Sequence, residues 1–195
     1  EEESTLLIVG DYGTGKTHFL QHAYRQALTE GFAVCHAGVD PEESPFSKPK
    51  RMYGRLMRNF RFPLSDSKQL GHFQDFVSKC IAAGAYKDHL YFSLFSGAVD
   101  RTCWDWVAGV ESCARPLTPR ASSMVKQTPA LYDYASAANI YCYLLGSLGW
   151  AAQQILRLKG LLLIFDEAEA VDLYQHAYQP GQSRNFLKAL IRTAG

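Results

Sequence analysis

Eight residues near the start of the chain restrict its fold more than any others. Gly10, Asp11, Tyr12, Gly13, Thr14, Gly15, Lys16 and Thr17 follow the pattern G-x-x-x-x-G-K-[ST]. Before them, residues 5–9 form a continuous apolar run, as expected for a strand buried on both faces of a parallel sheet. After them, residues 16–30 show helical spacing through Phe19, Leu20, Ala23 and Ala27, and Gly31 supplies a stop. Residues 32–39 read as the next strand. Strand, glycine turn, helix, glycine and strand make one βαβ unit, so the fold class is α/β with a parallel sheet.

Each position of the turn has a physical task. Gly10, Gly13 and Gly15 permit backbone angles that a side chain would forbid, so consecutive N–H groups can curl around a phosphate. The helix beginning near Lys16 aims its positive dipole end at the same anion. Lys16 adds a mobile cation, and the Thr17 hydroxyl is placed to ligate Mg²⁺. Asp11, Tyr12, Thr14 and His18 complete the stretch expected to line a bound nucleotide. This is the Walker A, or P-loop, pattern in the strand-to-helix context it requires.

A second constellation lies far along the chain. Leu161, Leu162, Leu163, Ile164 and Phe165 are followed at once by Asp166 and Glu167, the form of a Walker B strand. A buried parallel strand delivers Asp166 to its C-terminal tip, where ligands of open α/β sheets bind. There Asp166 is expected to hold Mg²⁺ with Thr17, and Glu167 to orient and deprotonate an attacking water. Such a glutamate favours hydrolysis over transfer to an acceptor. The rivals are a regulatory module that binds nucleotide with little turnover, and a phosphotransferase. A GTPase-type Asn-Lys-x-Asp signature is absent, which favours ATP.

The expected architecture is a three-layer P-loop NTPase core, a single domain over residues 1–195; the Walker A loop, the long insert and the Walker B strand ending in Asp166 and Glu167 resemble the AAA-type branch of P-loop ATPases. A mainly helical insert of about 62–130 separates the second strand from the Walker B strand. Helices are expected at about 50–60, 70–82, 99–112, 130–159 and 183–193, and Asp40 is read as a turn former after the second strand. The chain opens Glu1, Glu2, Glu3 without Met and enters its first strand almost at once, so it is expected to be a fragment of a longer protein.

With a net charge of +1, the chain has no global pull toward nucleic acid or membrane, so a polyanion would need a local patch. One candidate is the face formed by Arg51, Arg55 and Arg58, at i, i+4, i+7; Met52, Leu56 and Phe60 then point to the core. The alternative is a solvated helix face. No apolar run reaches the roughly 18–20 residues of a membrane span, and the opening is unlike a signal peptide. Five cysteines without a CxxC pair fit reduced thiols, hence a cytoplasmic setting. His18 and His22 have metal-compatible spacing but lack the zincin glutamate. Of Trp104 and Trp106, two apart on a helix, one is expected in the core.

A family resemblance follows from two stretches. The loop Tyr12-Gly13-Thr14-Gly15-Lys16-Thr17-His18-Phe19-Leu20 and the helix Met52-Tyr53-Gly54-Arg55-Leu56-Met57-Arg58-Asn59 resemble the ATP-binding protein family of bacterial BREX phage-defence systems. The resemblance covers mainly residues 5–61 and 160–195. It implies ATP-dependent remodelling or signalling in a DNA-related defence complex, with other subunits or further copies of the chain as partners. It also implies a sensor strand and a neighbour's arginine for which the chain shows no candidate.

Overall fold

The computed structural model describes residues 5–64, 69–96, 101–111, 129–173 and 178–193. Cys113, Pro116 and Pro119, and the opening three glutamates, lie outside them. The elements are α1 (Lys16–Glu30), β1 (Ala33–Gly38), α2 (Pro49–Arg58), β2 (Phe62–Pro63), β3 (Leu70–Gly71), α3 (Phe73–Ala82), α4 (Arg101–Val107), α5 (Ala138–Gln154), β4 (Leu161–Asp166) and α6 (Gln179–Thr193). Single 3-10 segments occupy Phe92–Ser96, Ala135–Ala137 and Ala168–Leu173.

β1 and β4 pair in parallel, from Ala33 opposite Leu161 to Gly38 opposite Asp166. Their carboxyl ends are therefore level, with Asp166 at the tip. Alternation along β1 sorts side chains to two faces. Val34 and Ile164 meet Ala27 and Leu28 of α1 on one face. Ala33, Cys35 and Ala37 join the larger core that holds α2, α3, α4, α5 and α6 on the other. A small parallel sheet with helices on both faces makes the chain a mixed α/β protein.

The family-motif helix α2 is anchored by its own sequence. Pro49 opens it, since the missing N–H costs nothing in the first turn. Met52, Leu56 and Phe60 are fully buried, as their spacing predicts, and so is Tyr53. The Tyr53 hydroxyl donates to the Val107 carbonyl at 3.0 Å, tying α2 to α4. Asn59 Nδ2 donates to the His36 carbonyl at 2.9 Å, tying its end to β1. A Cβ at Gly54 would stand 3.4 Å from the Gly109 carbonyl oxygen, so the glycine lets α2 lie against the end of α4.

Several expectations are corrected. Residues 5–9 form no strand: Leu6, Leu7 and Val9 are 78%, 78% and 84% exposed. A strand exists only through a neighbour that takes its N–H and C=O groups, and the sheet containing β4 has β1 as its single partner among the described residues. For the same reason β4 is not buried on both faces; of its six residues only Ile164 is buried. Phe19 is 51% exposed, so the apolar stripe of α1 reaches the core through buried Ala27 and Leu28, with Leu20 and Tyr24 packing partly buried beside them. The long helix begins at Ala138, not near 130, because 131–134 run irregularly into the 3-10 turn. It ends at Gln154, before Arg157 takes a left-handed φ of 57°. The 62–130 insert also carries the antiparallel pair β2–β3.

Candidate functional site

The glycine loop turns as its composition demands. Gly13 and Gly15 have φ of 80° and 88°, left-handed values that favour glycine. Gly10 is different: it is not left-handed, but a Cβ there would come 2.8 Å from Thr14 Oγ1. Thr14 Oγ1 donates to the Asp11 carbonyl at 2.7 Å, and Thr14 N to the same oxygen at 3.3 Å, closing the turn. Gly15 is the N-cap of α1 and offers no side-chain cap, so the first N–H groups of the helix are left for an external acceptor. Asp11, Tyr12, Thr14, Thr17 and His18 are all exposed along this stretch, Tyr12 fully. His22 is exposed one turn on.

The Lys16 side chain folds back over the loop. Its Nζ donates to the Gly10 carbonyl at 2.7 Å and the Asp11 carbonyl at 3.1 Å. It also stands 3.8 Å from Oε1 of Glu169. That ion pair brings the loop and the segment after β4 together, although more than 150 residues of chain separate them. Glu169 lies three residues beyond Asp166, on the 3-10 segment Ala168–Leu173.

At the end of β4, Asp166 Oδ1 accepts the backbone N–H of Glu167 at 2.9 Å. Glu167 itself holds φ 57°, a left-handed conformation in a non-glycine residue. Its carbonyl accepts the Ala170 N–H at 2.9 Å, which starts the 3-10 turn. Backbone strain of this kind concentrates where a turn must present a side chain. Glu169 was not singled out by the sequence pattern, which ends at Asp166 and Glu167. No local pattern marks it: the 3-10 turn that carries it beside Lys16 is a feature of the fold.

The remaining candidates fall outside this cluster. Arg51 Nε pairs with Asp133 at 3.1 Å, and its Nη1 donates to the Glu42 carbonyl at 2.8 Å. Arg55 lies 4.0 Å from Glu43, and Arg58 is exposed on the same helix. Asp40 Oδ1 accepts the N–H groups of Glu42 and Glu43 at 2.8 and 2.7 Å. These bonds form the expected turn and hold its carboxyl below the usual range. Trp106 is fully buried while Trp104 is partly so, packing at 4.3 Å from Phe95. The four described cysteines are buried; burial pushes Cys80 up to about 12 and Cys142 to about 11.

A cavity of about 710 Å³ lies apart from the loop, between α5 and residues 83–89. His89 and Ser147 meet on its wall at 2.9 Å. They are not a nucleophile and base. His89 Nδ1 accepts the N–H groups of Tyr91 and Phe92, at 3.1 and 3.0 Å, so the neutral ring carries its proton on Nε2. That proton goes to Ser147 Oγ, whose own hydroxyl donates to the Tyr143 carbonyl at 2.8 Å. The pair is a staple between the loop and α5.

Comparison with known proteins bears on the first part of the chain. Residues 1–83 match the family model of the BREX system ATP-binding protein BrxC/D. Over those residues the chain resembles the BREX ATP-binding proteins. The BREX match takes in the glycine loop, α1, β1, α2 and α3, and stops well before Asp166 and Glu167. No curated protein matches the chain, and no solved structure does. Among the described residues no helix is long and apolar enough to cross a membrane.

Proposed function

We propose that the chain is a P-loop nucleotide-binding domain that takes ATP with Mg²⁺ and serves a BREX-type phage-defence assembly. The observation that carries this reading is the position of Lys16. Two loop carbonyls hold its ammonium over the glycine turn, at the uncapped N-terminus of α1, with Glu169 of the segment after β4 within ion-pair distance. Backbone N–H groups, a helix N-terminus and a lysine cation together suit a polyphosphate. The family matched by residues 1–83 bears an ATP-binding name.

The residues present fit a hard divalent cation. Thr17 offers a hydroxyl, and Asp166 keeps its second carboxylate oxygen beyond the one that accepts the Glu167 N–H. Such an ion, held by Thr17 and Asp166, would supply positive charge to the phosphates. Gly10, Asp11, Tyr12, Gly13, Thr14, Gly15 and His18 line the nucleotide in this reading, with Lys16 on the phosphates. Glu167 would orient and deprotonate the water that attacks the terminal phosphate, the step that makes the domain an ATPase. A DNA contact through Arg51, Arg55 and Arg58 would compete with Asp133 and Glu43 for two of the three guanidinium groups. The nucleotide site alone therefore carries the proposal.

The test is equilibrium binding of a fluorescent ATP analogue with Mg²⁺. Lys16→Ala should weaken binding at least ten-fold, in line with loss of a charge-assisted contact worth about 1.5–3 kcal/mol. Binding unchanged by Lys16→Ala overturns the reading. Phosphate release, with Glu167→Gln retaining nucleotide while losing turnover, separates a hydrolase from a module that only binds.

A further inference from the structure

We infer that Glu169 is the resident counter-ion of Lys16, which a nucleotide's phosphates must displace on entering the loop; the inference rests on the nucleotide-binding reading above. A lysine ammonium has three N–H donors. In this structure two are committed to the Gly10 and Asp11 carbonyls, at 2.7 and 3.1 Å. One remains to meet an anion, and among the described residues the carboxylate within ion-pair reach is that of Glu169, 3.8 Å away. Glu169 thus stands on the side of Lys16 from which a phosphate oxygen would approach.

The contact has consequences for both partners. A phosphate chain brings its own negative charge to Lys16, and the Glu169 carboxylate, 66% exposed, can swing into water at little cost. Its departure removes a tie between the loop and the Ala168–Leu173 segment, which packs on α6. Glu169 therefore weakens the site for any polyphosphate and makes the tie between loop and segment depend on occupancy. It is a positioning residue: it acts through Lys16 and needs no contact with the nucleotide.

The experiment uses the whole chain and the same fluorescent ATP analogue with Mg²⁺. Glu169→Gln removes the charge from an exposed side chain. It should tighten binding about two- to five-fold at low salt, the range expected of one exposed ion pair. The gain should shrink as salt screens the pair. Glu30→Gln, at the opposite end of α1 from Lys16, controls for net charge and should leave affinity unchanged. Affinity that is unaltered or weaker in Glu169→Gln overturns the inference, as does equal tightening in both variants. Those failures leave the site intact provided Lys16→Ala still weakens binding. An ineffective Lys16→Ala removes the site and the inference together.

Discussion

At the scale of single residues, Glu167 is where the chain accepts strain. Its φ of 57° costs a side-chain-bearing residue about 1 kcal/mol or more. Replacement by glycine relieves that strain but adds freedom to the unfolded chain, so Glu167→Gly should stay within about 0.5 kcal/mol of the parent. Glu167→Val puts a β-branched side chain in the left-handed region and should cost about 1–2 kcal/mol more. Thermal unfolding of the two variants checks the order; valine equal to or better than glycine would show that the backbone at this position is not left-handed. At Gly13 and Gly15 the sequence pattern correctly announced the positive φ. At Gly10 it did not announce the reason, because the crowding by Thr14 Oγ1 depends on how the loop closes.

At the scale of elements, His89 fastens the loop after α3 to α5. Its ring stacks on Tyr143 at 4.8 Å and Phe92 at 4.5 Å, and its two nitrogens are engaged as described. Burial lowers its pKa to about 4. The folded state therefore resists a proton that the unfolded chain takes up near pH 6.5. Between pH 6.5 and 4 the unfolded state binds more protons, so stability falls as pH falls. Discounted for partial exposure, the loss should be about 1–2 kcal/mol. Urea unfolding across that window measures it, and His89→Gln should flatten the slope; an identical slope in the variant places the proton uptake elsewhere. The sequence foretold α2, α3 and α4 and one of Trp104 and Trp106 in the core; the packing decided that it is Trp106. The same reasoning overran α5 at its start, since Leu131 is fully buried without a helical backbone, while Tyr132 and Tyr134 stand exposed.

At the scale of the molecule, an aromatic knot joins elements that are otherwise weakly tied. Phe60 lies 6.3 Å from Phe62, 6.0 Å from Phe73 and 4.9 Å from Phe76, linking the end of α2 to β2 and α3. Phe60→Ala should cost about 3–5 kcal/mol, read as a fall in the urea midpoint. Phe19→Ala, at a half-exposed site on α1, should cost well under half of that. Comparable losses would mean that α1 is packed more deeply than its exposure indicates. The uneven distribution is itself informative: one large core holds α2 to α6 against one face of the sheet, while α1 joins the other face in a small cluster whose buried members are its own Ala27 and Leu28 with Val34 and Ile164.

By itself the sequence determined what depends on local chemistry. The glycine spacing dictated a turn that leaves N–H groups toward α1, the period of α2 dictated its buried face, and the order of apolar run and acids dictated the parallel strand ending at Asp166. Tertiary structure alone decided what depends on neighbours distant in the chain. Residues 5–9 read as a buried strand but have no ladder partner among the described residues, and a strand cannot be satisfied by its own composition. Arg51 and Arg55 read as a basic face until Asp133 and Glu43 met them. Glu169 read as nothing in particular until the fold carried it to Lys16, because an ion pair between positions so far apart in the chain leaves no trace in either local pattern.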